Sequence, residues 1–281
     1  MAARLMFVHA LSSLHAGTGQ GVGVIDLPIA RERATDLPVI PGSSIKGCLR
    51  EAYHDLSDRD TIFGKQDAAG LLQVADARLL LLPVRCLGAS FVWTTSPYVL
   101  RRFQRDLGAA GITDAFPAIP ALEDGNAEVA SSDPMVNVGG AKKLVLEDLD
   151  FTCVVGPPNG WAKWIGARLL AGDSAWQAEF LKRFAILDDK SFHFLARYAT
   201  EVSAHVRIDH ETGTVETGAL WYQEALPAET ILVSLLRAEE RTGADAAAVL
   251  KRIGLERFLQ LGGKATTGQG VVRLVPAGGS A

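Results

Sequence analysis

Residues 4–11, RLMFVHAL, set Leu5, Phe7, His9 and Leu11 in alternation with Met6, Val8 and Ala10, so an extended chain here carries apolar side chains on both faces. The pattern predicts a first strand covered on both sides. From Ser43 the period becomes helical. Ile45, Cys48, Leu49, Ala52, Tyr53 and Leu56 share one face, while Ser43, Lys46, Gly47, Arg50 and His54 fall within a stripe of about 100° on another. Apolar segments at 71–84 and 89–94 read as strands, and Pro97 ends the second before a helix-like stretch bearing Arg101, Arg102 and Arg105. Residues 161–187 read as helical, with Trp161, Trp164, Ile165 and Leu169 on one face and Trp176, Phe180, Phe184 and Leu187 on the next. Such an aromatic stripe predicts core. Residues 201–236 read as two extended arms, VSAHVRID and GALWYQEALPAETILVSLL, about the turn DHETGT. A helix over 244–253 then precedes a strand pair, RFLQL and VVRLV, joined by GGKATTGQG.

Between these elements lie two stretches that resist both periods. Residues 12–42 hold Gly17, Gly19, Gly21, Gly23, Pro28, Pro38 and Pro41 and predict a long flexible loop; loops beyond about 15 residues in a compact domain usually act on something. Residues 108–143, rich in Gly, Pro, Ala, Ser and Asn, read as an insertion. Strands and helices are segregated rather than strictly alternating. The order therefore predicts an α+β fold, a single domain over 1–281 with a ferredoxin-like (RRM-like) core, large insertions and helices on one side of the sheet.

Charge narrows the partners. Lys and Arg number 28 against 32 Asp and Glu, a formal net charge of −4, so nucleic-acid binding would have to rest on local patches rather than a global field. Cys48, Cys86 and Cys153 are odd in number and lack CxxC spacing, which argues against a disulfide framework and a zinc knuckle and fits a reducing cytoplasm. The longest apolar run, Leu79–Leu82, stops at Pro83, far short of the ~18 residues of a membrane helix. The amino terminus lacks the apolar region of a secretory signal.

Several chemistries are excluded by missing spacings: GxxxxGK[ST], GxSxG and HExxH do not occur, and GTGQGVG leads into VIDLP rather than a helix. Two phosphate-friendly elements remain. Ser43 or Ser44 can cap a helix whose free amides stand beside Lys46 and Arg50, and the loop 262–270 offers Gly263 and Lys264. A solvated helix face and a plain hairpin loop are the alternatives. A lone Asp26, with His15 before it and Arg31 and Arg33 after it, could hold a divalent ion or orient a hydroxyl at a phosphodiester. An aspartate that merely shapes a turn is the competing reading.

The segment HALSSLHAGTGQGVGVIDLPIARERATDLPVIPGSSIKGCLREAY resembles the amino-terminal signature of the RAMP superfamily of CRISPR proteins, above all its Cmr-type form. The resemblance continues through TTSPYVLRRFQRD, VNVGGAKKLVLED, SAHVRIDHETGTVETGALWYQEALP and LQLGGKATTGQGVV, in order and across nearly the whole chain. It implies the repeated backbone subunit of a type III-B effector complex of antiviral defense. In that family, copies stack along a CRISPR RNA as a helical filament beside other Cmr-type subunits. Each projects a hairpin thumb, here expected at 201–229, and single-stranded target RNA is cut at regular intervals with Mg2+ or Mn2+. Matched by motif, Asp26 is the essential carboxylate and metal-site residue, and His15, Tyr222 and Glu224 are further catalytic candidates. Ser43, Ser44, Lys46, Arg50, Gly263 and Lys264 would grip the RNA backbone. A non-cutting CRISPR RNA scaffold and a single-unit ribonuclease processing precursor CRISPR RNA are the other functions the family allows.

Overall fold

The alternation of the first strand divides the molecule into two cores. The structure, a computed structural model, describes residues 2–278 apart from 20, 22, 158–159 and 241–244. In β1 (Ala2–Ala10), Leu5 and Phe7 enter one core while Met6, Val8 and Ala10 enter the other. The chain continues through β2 (Val39–Ile40), α1 (Gly42–Ala52), α2 (Arg59–Phe63), β3 (Leu72–Val74), β4 (Ala77–Cys86), β5 (Ala89–Thr95) and α3 (Pro97–Ala109). Its middle supplies β6 (Asn126–Val129), β7 (Val136–Val138), β8 (Ala141–Leu146), β9 (Leu149–Val155), α4 (Trp161–Leu169), α5 (Ser174–Lys182), β10 (Phe184–Leu187) and α6 (Asp189–Tyr198). Then come β11 (Glu201–Ile208), β12 (Val215–Ala225), β13 (Ile231–Ala238), α7 (Ala246–Ile253), β14 (Arg257–Gln260), a 3-10 turn at Ala265–Thr267 and β15 (Val271–Pro276).

The main sheet runs in the order β14, β15, β1, β13, β4, β5, β10, β6, β9, β8, β7. Its pairings are antiparallel except β5 with β10 and β6 with β9. A bridge from Cys86 to Leu146 brings β8 back to β4, so β4, β5, β10, β6, β9 and β8 close into a barrel-like ring. The fold is thus mixed α and β.

Helices cover both faces, which corrects the expectation of a single helical side. Ile45 and Leu49 of α1 and Val249, Leu250 and Ile253 of α7 pack with Met6, Val8, Leu232 and Leu274. Val99, Leu100 and Phe103 of α3 and Trp161 and Ile165 of α4 pack with Leu5, Phe7, Leu81 and Val233. Each fully buried Leu or Phe contributes about 1.5–3 kcal/mol, so a strand apolar on both faces demands two covers.

Other boundaries also shift. Residues 108–143 are more than an inserted appendage, because β6 lies inside the sheet between β10 and β9. Phe184–Leu187 forms β10 rather than the end of a helix, all four side chains being buried between flanking strands. The second arm of the expected hairpin is two strands, β12 and β13, separated at Pro227.

β11 and β12 form a two-stranded sheet of their own, and most of their length is exposed. They are tied at the base by bridges from Leu14 to Leu226 and from Leu27 to Gln223. At the tip the Asp209 carboxylate accepts from the amides of Glu211 and Thr212, and the Thr212 bond leads the causes that hold it below the usual carboxylate range. Among the described residues no helix is long and apolar enough to cross a membrane.

Candidate functional site

The irregular stretch 12–42 is fastened rather than draped. Bridges join Leu14 to Leu226, Gly17 to Ile29, Leu27 to Gln223 and Arg31 to Pro38, and Leu14, Ile29, Ala30 and Leu37 are buried. This lays residues 26–29 along the base of the hairpin. The amide of Leu27 donates to Tyr222 O at 3.0 Å, and the amide of Glu224 donates to Leu27 O at 2.9 Å. Beside these bonds, Asp26 Oδ2 accepts from the amide of Tyr222 at 2.7 Å. Oδ1 has no hydrogen-bond partner among the described residues, so one oxygen is anchored by main chain and the other is available.

Asp26 lines a cleft of about 440 Å³ with Gly21, Leu27, Arg207, Gly218, Leu220, Trp221 and Lys264. Two cations, Arg207 from β11 and Lys264 from the carboxy-terminal loop, thus share a wall with one carboxylate. Lys264 itself adopts a left-handed conformation, φ 65°. Its carbonyl accepts from the amides of Thr267 and Gln269, which pins the loop that carries it. A lining with excess positive charge suits a phosphodiester. Arg207 and Trp221 are the residues that sequence reasoning missed; nothing in the local pattern of β11 or β12 says that they face Asp26.

The other catalytic candidates lie next to this cleft rather than in its lining. His15 is buried, its Nδ1 2.7 Å from Glu224 O and its carbonyl accepting from the amide of Gly263 at 2.9 Å. The carboxy-terminal loop presses closely here: a Cβ on Gly262, already at φ 75°, would stand 2.3 Å from His15 O. Tyr222 supplies main-chain contacts to Asp26 and Leu27, and its side chain is exposed. Glu224 also lies outside the lining. Its carboxylate is 3% exposed as a residue and accepts from Arg31 at 2.6 Å, Thr200 Oγ1 at 2.9 Å and the amide of Ile29 at 3.1 Å. A carboxylate so buried and so fully bonded braces the chain.

The expected backbone grip divides. Helix α1 starts at Gly42 with Pro41 as its N-cap, so neither Ser43 nor Ser44 caps it. Asp76, in the turn before β4, instead accepts from the amide of Gly42 at 2.7 Å, so one amide at the helix start is already taken. The fit is tight, since a Cβ on Gly42 would meet Val74 O at 2.2 Å. Arg50 is committed to Gly64 O and to Asp60 Oδ1, and the amide of Gly263 is taken by His15. Lys46 is half-buried; burial, then repulsion from Arg50, holds its ammonium below the ordinary range. It lines an open hollow of about 540 Å³ with Arg50, Lys65, Gln66 and Gln73, separate from the cleft that holds Lys264.

Among the described residues no group of three or more His, Cys, Asp and Glu side chains converges as a metal cage. Asp26 Oδ1 fits a single ligand position, the arrangement of a hard cation shared between one carboxylate and substrate phosphates.

Comparison with known proteins gives one consistent result. The RAMP superfamily model matches residues 7–273. The chain is 36% identical over 289 residues to the CRISPR system Cmr endoribonuclease Cmr4 of Pyrococcus furiosus, covering 98% of this chain and 95% of that protein. It is 24% identical to the CRISPR system CMR subunit Cmr4 of Saccharolobus solfataricus, over 95% and 94% of the two chains. The crystal structure of oligomeric Cmr4 from Pyrococcus furiosus is similar with a TM-score of 0.74 and 32% identity, covering 98% of each chain. A Type III-B Cmr-beta chain from a complex bound to cognate target RNA shares the fold, with a TM-score of 0.76 at 22% identity over 99% and 98% of the two chains. On the match over 7–273 and the near full-length identity, the chain belongs to the RAMP superfamily.

Proposed function

We propose that this chain is a backbone subunit of a type III-B CRISPR effector complex, an endoribonuclease that holds CRISPR RNA and cuts the complementary target RNA. The observation that carries the reading is Asp26: one oxygen fixed by the amide of Tyr222, the other free in a cleft walled by Arg207 and Lys264. Full-length similarity to a Cmr endoribonuclease supports the activity. Copies of this chain and other Cmr-type subunits are its partners, the cytoplasm is its compartment, and the hairpin β11–β12 is the thumb that displaces target nucleotides. The strand order β15, β1, β13, β4, all antiparallel, with α1 between β1 and β4 and α7 between β13 and β15, supports a ferredoxin-like reading of this half of the sheet.

The reaction is attack by a target ribose 2′-oxygen on the adjacent phosphorus. The new 2′-O–P bond replaces the P–O5′ bond, the 2′-hydroxyl loses its proton, and the departing 5′-oxygen gains one from solvent, leaving a 2′,3′-cyclic phosphate and a 5′-hydroxyl. Asp26 Oδ1 orients the hydroxyl as its proton passes to solvent, while the Tyr222 amide keeps the carboxylate from rotating away. Lys264 places a point charge beside the phosphate. Mg2+ or Mn2+ would be held by Asp26 together with RNA phosphate oxygens and would supply charge neutralisation there. Lys46 contacts the guide backbone from its separate hollow.

The test is Asp26→Asn in a reconstituted complex. The amide oxygen can still accept from Tyr222, so geometry is kept and charge is removed. Target cleavage should fall by about 10²-fold or more while guide and target binding hold. Undiminished cutting would refute the assignment and leave a binding scaffold.

A further inference from the structure

The pairing of β11 with β12 breaks next to the Asp26 cleft. Val206 pairs with Leu220 and Ile208 with Val215, so Arg207 alone on one strand faces Glu216, Thr217, Gly218 and Ala219 on the other. Such a bulge bends a strand and re-aims the side chains at its apex. Gly218 takes φ 78°, a left-handed conformation that a β-carbon disfavours, and its own backbone lines the cleft. Arg207 is therefore brought into the cleft lining by an irregularity of the hairpin, together with Leu220 and Trp221.

Its guanidinium is also less committed than those of Arg31 and Arg102. Arg31 is spent on Glu224, Asp36 O and Ala196 O, and Arg102 on Glu32. Arg207 has one long contact, 3.4 Å to Glu216 Oε2, and its side chain is 69% exposed. Asp26 is the single acidic residue of the lining beside Arg207 and Lys264, and Glu216, 3.4 Å from Arg207, is not part of it.

We infer that Arg207 is a catalytic residue of the cleavage site, its planar fork donating to the non-bridging oxygens of the scissile phosphate. The inference rests on reading the Asp26 cleft as the place of cutting. Negative charge on those oxygens rises as the 2′-oxygen attacks, so these bonds strengthen in the transition state. A bidentate fork matches two oxygens where an ammonium offers only a point charge. Arg207 stays protonated throughout, and the proton from the 2′-hydroxyl and the one gained by the 5′-oxygen move as described above. Trp221 forms the neighbouring wall, its ring stacked on His205 at 5.6 Å.

The experiment uses the assembled complex with guide RNA and a labelled target, in single turnover, comparing Arg207→Ala, Arg207→Lys and Asp26→Asn. Each is also run on targets carrying either phosphorothioate diastereomer at the scissile position. Arg207→Ala should slow cutting by about 10²–10³-fold with target affinity held within about threefold. Arg207→Lys should recover part of the rate, and the sulfur penalty seen with the native chain should shrink when the guanidinium is gone. Native cutting by Arg207→Ala alongside an inactive Asp26→Asn overturns the role of Arg207 and leaves the cleft reading standing. Native cutting by both variants removes the cleft reading as well. A loss of target affinity as large as the loss of rate, or an unchanged sulfur penalty, also overturns the inference, because each describes a residue that binds without aiding the chemistry.

Discussion

Glu224 accepts from Arg31, Thr200 and the amide of Ile29, donors from separate stretches of chain that converge behind Asp26. Removing it strands the Arg31 guanidinium, 16% exposed, without its counter-charge. Glu224→Ala should therefore lower stability by about 3 kcal/mol, read from urea denaturation, and replacing Arg31 and Glu224 together by Met should restore most of it. A Glu224→Ala protein of native stability that nonetheless failed to cut would return the residue to the chemistry. Asp26 and His15 are visible in the sequence because a contiguous stretch carries the family signature. Arg207 is not, because its place depends on a bulge formed by residues up to 12 positions away. Glu224 is visible as a candidate, but its role is fixed by burial, which spacing along the chain does not reveal.

At the level of elements, β11–β12 stands apart from the main sheet, and β12 becomes buried only at Gln223 to Ala225. Replacing residues 209–214 by Asn-Gly, a two-residue turn joining the paired positions Ile208 and Val215 that leaves Arg207 in place, should change stability by less than about 0.5 kcal/mol. The same change should abolish regularly spaced cuts in the assembled complex, which a ladder of labelled target fragments displays. Unfolding of that variant, or an intact ladder, would count against the thumb assignment. Strands with long two-sided alternation, such as β1, declare themselves in the sequence. β10 does not: FAIL is four buried residues in a row, and an apolar run that short fits the tail of a helix equally well. The contact at the start of α1 is equally hidden, because Asp76 reaches Gly42 from 34 positions along the chain.

For the whole molecule, a net charge of −4 coexists with two cationic hollows, one at Lys46 and one at Lys264. Guide binding should follow the local charge rather than the total. Lys46→Ala should weaken CRISPR RNA binding equally for guides of different sequence and reduce the slope of log affinity against log salt by about 0.7, the single-strand value for one phosphate contact. A slope unchanged from the native chain would take Lys46 out of the interface. The two hollows could not be separated from the sequence, since Ser43–Arg50 and Gly262–Gly270 both look phosphate-ready and only the folded sheet places them apart.

The amide that anchors Asp26 belongs to Tyr222, on the same strand that runs out to the hairpin tip. Any tilt of that lever is handed straight to the carboxylate at its fulcrum. Under the proposed function, a target seated out of step would shift Asp26 from the phosphate, which would tie the spacing of cuts to main-chain geometry.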